Sequence, residues 1–317
     1  MKVLFCGTGS FGLPSLRALL AGPHRLLAVL TQPDRRSGRA RRKPLPIPRE
    51  AAFAGLPILS PDRCNDPAVL EEISALAPDV AVVVAYGQLI GRPLLAVPPH
   101  GWINLHASLL PEYRGAAPIA RALLEGRRRT GVTIFRLDPG LDAGDVLASQ
   151  PVDIRDDETA EDLEPRLAAI GAPLILRVLD DLASGHARPV SQDHDKATFA
   201  PVLSKEEGRI DWNEPARRIA NMVRAFAPWP GAQTAWRDAG DVPHPFLIRK
   251  AHVRKAFGKS PGTVLSASPD GLVVACGEDA IVITELQPAG SRRMSAAAFL
   301  NGHDVCAGHV LSGGRRP

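Results

Sequence analysis

The sequence predicts a two-domain protein in which an open α/β sheet is followed by a small β-barrel. With 317 residues, the chain is about twice the length of a usual 150-residue domain. Strand-like and helix-like segments alternate up to about residue 190, as in parallel βαβ units. Beyond residue 226, short strands alternate with turn signals, which is typical of a barrel. We place the first domain at 1–189, a linker at 190–206, where polar residues accumulate, and the second domain at 207–317.

Hydrophobic periodicity locates the elements of the first domain. Apolar runs predict strands at 2–6, 26–31, 79–85, 102–106 and 132–137. Apolar residues at helical spacing predict helices at 11–20, 67–76, 118–125 and 161–182. Pro165 suits the first turn of the last helix, whereas Gly171 and Pro173 are residues that kink or split helices. The valine-rich run at 80–84 is apolar throughout, as expected of a strand that is buried on both faces.

The second domain is predicted to contain one helix and several short strands. The helix spans 214–226, and the strands are expected at 246–253, 262–266, 272–276 and 280–286. Pro-Gly at 261–262 and Pro-Asp-Gly at 269–271 mark turns between them.

Composition favours a cytoplasmic protein with reduced thiols. No apolar run approaches the roughly 18 residues needed to span a bilayer, and the amino-terminal residues lack the layout of a signal peptide. The four cysteines are scattered without a CxxC pair, which argues against a disulfide framework and a cysteine-based zinc site. The nine histidines show neither HxH nor HExxH spacing, so we expect no metal.

Charge is unevenly distributed along the chain. Residues 1–200 hold 23 basic and 23 acidic residues, so the net charge of +4 comes from the 15 basic and 11 acidic residues of 201–317. Within the neutral part, residues 35–49 include seven basic residues and no acidic one. Such a loop and a basic second domain fit a polyanion partner, although a solvated loop has the same composition.

The segment Gly-Thr-Gly-Ser-Phe-Gly at 7–12 matches the G-x-G-x-x-G pattern between a strand and a helix. Asp34 follows Gly12 by 22 residues, near the spacing of the acidic residue that binds a ribose, so a nicotinamide-dependent oxidoreductase is one hypothesis. However, Asp34 follows Pro33 and begins the basic loop. A tight strand-to-helix turn without a dinucleotide is therefore the favoured interpretation.

A second group of residues has the chemistry of acyl transfer. Strand alternation places Asn104 and His106 on one face, and the turn at 138–145 holds Asp138, Asp142 and Asp145. An amide and an imidazole can donate to a developing oxyanion, and a carboxylate can orient and charge the imidazole. No serine or cysteine nucleophile is needed if the acceptor is an amine. The structural alternatives are a hydrogen-bonded core histidine and a solvated turn.

Around this group, the sequence resembles the folate-dependent formyltransferases. Asn-Leu-His-Ala-Ser-Leu-Leu-Pro at 104–111, followed by Tyr-Arg-Gly-Ala-Ala-Pro-Ile at 113–119, is similar to the signature of that family. Further similar segments occur in the family's order, at 31–35, 38–39, 84–88, 138–146, 203–207, 210–212, 224–226, 228–230 and 287–290. The chain departs from the family at Glu112, where relatives often have a basic residue, and at Gly91, where proline is common.

The resemblance implies a Rossmann-like, mostly parallel sheet domain followed by an OB-like barrel. It also implies transfer of a formyl group from the co-substrate 10-formyltetrahydrofolate to the α-amino group of initiator methionyl-tRNA. The two-domain size and the absence of a long apolar helix face separately favour a monomer. The family's catalytic residues map to Asn104, His106 and Asp142. Its folate-binding residues map to Ser108, Leu109, Leu110, Pro111, Tyr86 and Gly87. Its tRNA-binding residues map to Arg35, Arg39, Arg41, Arg42 and Lys43.

Three other functions compete with this one. A formyltransferase for a small amine, such as an amino sugar or a purine precursor, would use the same chemistry but would need neither the basic loop nor the basic second domain. The nicotinamide-dependent oxidoreductase would use residues 7–12. A non-catalytic RNA-binding module would have no use for Asn104, His106 and Asp142 together.

Overall fold

The computed structural model describes residues 1–34, 45–256 and 258–313, and the chain forms two compact units. The first unit comprises Met1–Pro118, Arg129–Asp153 and Glu164–Ala200. The second comprises Ile119–Arg128, Ile154–Leu163 and Pro201–Pro317. Both units are discontinuous in sequence, whereas the domains that we predicted are continuous; their bounds at 1–189, 190–206 and 207–317 stay a prediction.

The first unit is built on a seven-stranded sheet with the order β3-β2-β1-β4-β5-β6-β7. The strands are β1 (Lys2–Gly7), β2 (Arg25–Leu30), β3 (Ile58–Leu59), β4 (Val80–Val84), β5 (Trp102–His106), β6 (Arg129–Arg136) and β7 (Val146–Asp153). The pairings from β3 to β5 are parallel, and those of β5 with β6 and of β6 with β7 are antiparallel. The sheet is therefore mostly parallel, as predicted, but the expected parallel arrangement does not extend to β6.

The antiparallel pairing of β7 with β6 follows from the length of their connection. Nine residues, 137–145, join β6 to β7, and a parallel crossover needs a dozen or more. The sheet therefore turns back on itself at this edge, and the connection becomes an exposed loop that can carry functional side chains. Sequence analysis did not predict β7, in which only part of the residues are buried.

Four helices connect the parallel strands, namely α1 (Leu13–Ala21), α2 (Pro46–Phe53), α3 (Pro67–Leu76) and α4 (Arg92–Leu95). Helix α5 (Pro118–Leu124) lies between β5 and β6, and α6 (Ala160–Ala183) follows β7. Sequence analysis missed α2 and α4, which are short and contain proline. Helix α6 runs without a break through Pro165 and Pro173, so the expected split does not occur. The predicted helix at 11–20 begins as a 3-10 turn, Ser10–Gly12.

The central strands of the sheet are buried, which fixes their carboxyl ends in place. Every residue of β4 is buried, and all but the first residue of β1 are. One face packs Leu4, Leu30 and Ile73 around Trp102, whose indole N–H donates to the carbonyl of Leu94 at 2.7 Å. Because parallel strands that are covered on both faces are apolar along their whole length, polar residues concentrate at their ends.

The second unit is an antiparallel barrel. Its strands are β8 (Ala232–Arg237), β9 (Pro243–Arg254), β10 (Val264–Ser268), β11 (Gly271–Ala275), β12 (Ala280–Pro288) and β13 (Met294–Ser295). They follow the order β10-β11-β12-β9-β8, with β13 also paired to β12. Two helices accompany them, α7 (Ala216–Ala225) and α8 (Ala296–Leu300).

A segment after α8 closes the barrel by hydrogen bonding to both of its edges. On the β10 side, Val264 N–H donates to the carbonyl of His309 and Leu311 N–H donates to that of Gly262, each at 2.8 Å. On the β8 side, Ser312 and Ala235 exchange a pair of backbone bonds of 2.7 and 3.1 Å. We call residues 308–312 the closing segment. It occupies the strand edges that would otherwise be unpaired.

Within the described ranges, no helix has both the length and the apolar character that crossing a membrane requires. The same part of the chain contains no group of three or more His, Cys, Asp or Glu side chains arranged to hold a metal ion.

Candidate active site

In the first unit, the loops after three neighbouring strands are tied together at the carboxyl edge of the sheet. The Thr8 hydroxyl donates to the carbonyl of Tyr86 at 3.1 Å and accepts from the Gln32 N–H at 3.2 Å. The Gln32 side chain donates to the same carbonyl at 3.0 Å. These bonds link the ends of β1, β2 and β4. Since the strand order reverses between β1 and β4, this edge is where an open α/β sheet forms its ligand crevice.

The glycine-rich turn after β1 serves close packing. A Cβ on Gly7 would lie 2.8 Å from the Phe5 ring and 2.9 Å from the carbonyl oxygen of Val84, whereas a Cβ on Gly9 would meet nothing within 4 Å. Gly7 thus allows β1 to pass close to the end of β4. Packing alone therefore accounts for the glycine at position 7.

His106 ends β5, and its two ring nitrogens face different groups. Nε2 lies 2.8 Å from the carbonyl oxygen of Tyr113. Because a carbonyl oxygen can only accept, Nε2 bears the hydrogen. Nδ1 lies 3.6 Å from Oδ2 of Asp142. The edge of the ring packs against Phe135, with the ring centroids 6.4 Å apart. The tautomer is therefore set by the backbone, and Nδ1 is the atom that can gain or lose a proton.

Of the three carboxylates in the β6–β7 loop, Asp142 is the one that contacts His106. Its Oδ2 accepts the Gly115 N–H at 2.7 Å, and its backbone is left-handed, with φ of 48°. Asp138 is exposed and accepts the N–H of Gly140. Asp145 accepts the Ser191 hydroxyl at 2.9 Å. The geometry therefore selects Asp142 as the partner of the imidazole.

Burial and charge act in opposite directions on His106. Removal from solvent lowers the pKa of the imidazole, while the Asp142 carboxylate and the hydrogen bond to Tyr113 raise it, and burial dominates. A neutral ring would point the Nδ1 lone pair at a carboxylate oxygen, which is unfavourable. An imidazole and a carboxylate can each carry a proton, so the two side chains are a candidate proton-holding pair.

Asn104 lies two residues before His106 and on the same face of β5. It is half-buried, and its Cα is paired in the sheet with those of Val83 and Phe135. Among the described residues, no group hydrogen-bonds to its carboxamide. Its two N–H donors are thus available to a ligand at this edge.

The predicted folate-binding segment leaves β5 directly after the histidine. Ser108 is buried, and its hydroxyl donates to the carbonyl of Glu112 at 2.6 Å, so this hydroxyl shapes the loop. Leu109, Leu110 and Pro111 are half-buried. Thr133 on β6 holds the segment, since its hydroxyl donates to the Ser108 carbonyl and accepts the Leu110 N–H. The three residues after Ser108 present the accessible apolar surface of the segment.

Tyr86 and Gly87, the other predicted folate-binding residues, follow β4. The Tyr86 ring lies in the core and is 2% exposed, where burial raises the pKa of its hydroxyl. Gly87 is exposed, with φ of 84°, and a Cβ there would lie 2.6 Å from Nε2 of Gln32. Any ligand contact by this pair therefore involves backbone rather than the tyrosine ring.

The remaining predicted site residues are those of the basic loop. Arg35, Arg39, Arg41, Arg42 and Lys43 all lie outside the described residues.

Sequence reasoning missed two buried residues behind Asp142. Arg114 was noted only as part of the family signature, and Gln192 was assigned to the polar linker. Both are more than nine-tenths buried, and the Arg114 guanidinium donates to Gln192 Oε1. Neither has a local sequence signal, because their contacts span 50 to 80 residues of chain.

The sequence matches two families that together span most of the chain. Residues 1–179 match the formyl transferase family, and residues 202–304 match the formyl transferase C-terminal domain. A methionyl-tRNA formyltransferase from Chloroflexus aurantiacus is 47% identical over 305 residues, covering 95% of this chain and 97% of its own. Enzymes of the same name from Methylococcus capsulatus and Trichlorobacter lovleyi are 44% and 40% identical, with at least 96% of each chain covered.

Solved structures share the fold at lower identity. An N-formyltransferase from Helicobacter canadensis, in complex with folinic acid and dTDP-3-aminofucose, superposes with a TM-score of 0.67 at 15% identity, covering 93% of this chain and all of its own. HypX from Aquifex aeolicus, in complex with tetrahydrofolic acid, gives 0.61 at 19% identity, over 95% of this chain and 47% of that one. From the family matches and the full-length relatives, the chain belongs to the formyl transferase family, among the methionyl-tRNA formyltransferases.

Proposed function

We propose that this protein transfers the formyl group of 10-formyltetrahydrofolate to the α-amino group of initiator methionyl-tRNA. The observation that carries the assignment of the site is the His106–Asp142 pair, 3.6 Å apart. On the same strand as His106 is Asn104, whose carboxamide receives no hydrogen bond from any described residue. An amide donor and a proton-holding pair are what formyl transfer to an amine requires, since the amine is itself the nucleophile. The full-length relatives named methionyl-tRNA formyltransferase support methionyl-tRNA as the acceptor.

Asn104 and His106 stabilise negative charge in the transition state. As the amine attacks the formyl carbon, charge builds on the formyl oxygen. The Asn104 N–H groups and, when it is protonated, Nδ1 of His106 can donate to that oxygen. Removing one such donor typically costs on the order of 10²–10³ in kcat. Both side chains are fixed on one strand, so they need no reorganisation during the reaction.

The His106–Asp142 pair manages the proton balance of the reaction. One C–N bond forms and one breaks, and a single proton must pass from the attacking amine to the departing folate nitrogen. Asp142 accepts the amine proton while His106 releases the proton on Nδ1 towards the leaving nitrogen. The pair then holds one proton again and returns to its starting state. Gly115, whose N–H binds Asp142 Oδ2, keeps the carboxylate in place throughout.

The folate is expected to lie along the segment that follows His106. Leu109, Leu110 and Pro111 supply half-buried apolar surface, and the exposed Gly87 borders the same sheet edge. Ser108 and Tyr86 support the site from behind, through a buried hydroxyl and a backbone carbonyl. The predicted monomeric state stays a prediction.

The decisive experiment supplies 10-formyltetrahydrofolate with charged initiator tRNA and follows formylmethionine. We expect formylation by the wild-type protein and a loss of at least about 10²-fold in kcat for His106→Ala, with tRNA binding retained. An amino-sugar nucleotide as acceptor tests the small-amine alternative. Formylation of that acceptor, with none of methionyl-tRNA, would overturn the proposal.

A salt titration tests the basic loop. We propose that Arg35, Arg39, Arg41, Arg42 and Lys43 contact tRNA phosphates and unpaired bases. Each phosphate contact that is lost reduces the dependence of tRNA affinity on salt by about one unit of log–log slope. Arg39→Ala combined with Arg41→Ala and Arg42→Ala should therefore weaken tRNA binding and flatten the slope. A slope equal to that of the wild type would assign tRNA contact to other residues.

A further inference from the structure

Asp142 occupies a backbone conformation that needs support. Its φ of 48° is left-handed, a region that costs a residue other than glycine about 1–3 kcal/mol and persists only where neighbours enforce it. The loop between β6 and β7 has no regular structure around it. The distance between Asp142 and His106 therefore depends on side chains that hold this loop.

The carboxamide of Gln192 holds the loop from one side. Its Nε2 donates to the carbonyl of Asp142 at 2.9 Å and to that of Gly144 at 2.7 Å. Its Oε1 accepts from Arg114, from Nη2 at 2.8 Å and Nε at 3.2 Å. Both donor hydrogens and both acceptor sites are used. The side chain is buried, so no water competes for these bonds.

Arg114 connects the carboxamide to the histidine. It lies between Tyr113, whose carbonyl accepts from His106, and Gly115, whose N–H donates to Asp142. The residue is 6% exposed, and its guanidinium is bound by Gln192 and by Nδ1 of His194. No carboxylate in the described part of the chain forms an ion pair with it. Gln192 and His194 together orient this buried cation. Of the two, Gln192 also bonds to the β6–β7 loop, because it offers an acceptor to Arg114 and two donors to the loop.

These bonds form a chain that ends on both members of the pair. It runs from His106 to Tyr113, along the chain to Arg114, and across Gln192 to the backbone of Asp142, whose carboxylate lies 3.6 Å from Nδ1. We propose that Gln192 is a positioning residue for formyl transfer, which holds Asp142 against His106 by bracing the β6–β7 loop on Arg114. The proposal rests on the proposed roles of His106 and Asp142 in proton transfer.

Two substitutions test the hydrogen bonds of Gln192. One removes only its donors to the loop, and the other removes both its donors and its acceptor. Gln192→Glu keeps an oxygen towards Arg114, but it replaces the two N–H donors by an oxygen that faces the carbonyls of Asp142 and Gly144. Gln192→Met has a similar length and removes the bonds to Arg114 as well as those to the loop. We expect kcat for methionyl-tRNA formylation to fall about 10- to 100-fold in both variants, a loss typical of a mispositioned catalytic group. KM for folate and for tRNA should stay within about twofold.

The matched control is Gln150 on β7, an exposed glutamine that bonds only weakly to its neighbour, at 3.4 Å. Gln150→Glu and Gln150→Met should leave kcat unchanged. Thermal unfolding identifies any variant that fails to fold, and in that case the shorter amide Gln192→Asn replaces it. A wild-type kcat in a folded Gln192→Glu protein would overturn the proposal.

Two readouts distinguish positioning from general structural damage. First, loosening Asp142 removes the group that raises the pKa of His106, so the NMR titration of this imidazole should move to lower pH in Gln192→Glu and stay in place in the Gln150 variants. Second, Gln192→Glu added to Asp142→Asn should cause little further loss, because both act through one carboxylate. Losses that multiply would overturn the positioning role. A wild-type kcat in Asp142→Asn alone would instead refute the proposed catalytic pair.

Discussion

At the residue scale, the site assigns the two nitrogens of His106 to different tasks. Tyr113 fixes the hydrogen on Nε2 through a backbone carbonyl, a group that does not titrate. The neutral tautomer is therefore the same at every working pH, and in the proposed mechanism Asp142 exchanges a proton with the reactants while Nδ1 holds the other. This division lets one imidazole serve as donor and acceptor within a single turnover.

Replacing Asp142 by asparagine tests the proton-holding pair. The carboxamide would have nearly the same shape as the carboxylate but could neither accept the amine proton nor stabilise a charged imidazole. We expect Asp142→Asn to lower kcat by about 10²–10⁴-fold, the range for a lost acid–base group, with little change in KM. Because the carboxylate raises the pKa of His106, the NMR titration of the imidazole should also move to lower pH.

The control for this experiment lies in the same loop. Asp138 is exposed and accepts the nearby N–H of Gly140. Asp138→Asn should therefore retain the wild-type kcat and the wild-type NMR titration of the His106 imidazole. Equal losses in the two variants would show that charge in the loop, rather than the contact with His106, matters for the rate.

Sequence analysis found Asn104, His106 and Asp142 because they lie in family motifs, and strand alternation independently placed the first two on one face. It could not tell that the Tyr86 ring points into the core, since a residue that follows a buried strand can face either way. Gln192 could not be predicted from the sequence for another reason. A glutamine among Ser191, Asp193 and Asp195 has the composition of a solvated linker, and only the long-range contacts reveal that it is buried.

At the element scale, the turn between β1 and α1 shows how a nucleotide-binding pattern can serve packing instead. The close approach of Gly7 to the carbonyl of Val84 holds β1 beside β4 at the crevice. The pattern fixes the turn geometry that both uses share, so the sequence alone cannot distinguish them.

Alanine substitutions within this turn should have unequal effects. Gly7→Ala forces a Cβ to within 2.9 Å of backbone, and we expect it to destabilise the protein by about 1–3 kcal/mol. Gly9→Ala meets nothing within 4 Å, at φ of −84°, and should change stability by no more than about 0.5 kcal/mol. Urea unfolding of both variants provides the measurement, and equal effects would contradict the packing role.

The parallel part of the sheet was predictable because each strand is an uninterrupted apolar run between helices. The antiparallel edge was not. Strand β6 is buried like β4, and only the direction of β7 follows from a short connection. The sequence of residues 146–153, Val-Leu-Ala-Ser-Gln-Pro-Val-Asp, has no clear alternation of apolar and polar residues, so it does not predict a strand.

At the scale of the whole molecule, the closing segment decides whether the second unit is a barrel or an open sheet. Its residues contact β8 and β10, which are the two ends of the strand order. The short strands between turn signals were predictable. The closure was not, because residues 308–312 have neither a strand-like apolar run nor a turn motif that marks them.

Proline at position 312 should open one side of the barrel. Ser312→Pro removes the N–H that donates to Ala235 at 2.7 Å, whereas Ser312→Ala removes only the hydroxyl and keeps this bond. We expect the proline variant to lose about 1–3 kcal/mol of stability and the alanine variant about 0.5 kcal/mol or less. Hydrogen exchange at Ala235 should accelerate only with proline. Wild-type protection in that variant would show that the closure does not depend on this bond.

Buried histidines make the stability of the protein depend on pH. Burial, followed by the amino-terminal charge, lowers the pKa of His24 despite the nearby Asp180. The unfolded chain therefore takes up a proton near pH 6.5 before the folded one does, so the free energy of unfolding falls as pH drops below this value. His106 acts in the same direction. His24→Gln should lose less stability between pH 7.5 and 5.5 in urea titrations, and an unchanged slope would contradict this cause.

The antiparallel hairpin of β6 and β7 also sets an order of events during folding. The loop that carries Asp142 closes between neighbouring strands, and hairpins of this kind form in about 1–10 μs. The Gln192 bonds must instead bridge 50 residues to Asp142 and 78 to Arg114, which is slower because longer loops must close. A refolding chain should consequently form the β6–β7 hairpin before it regains its catalytic rate, so protection of the hairpin amides in pulsed hydrogen exchange should precede the return of activity.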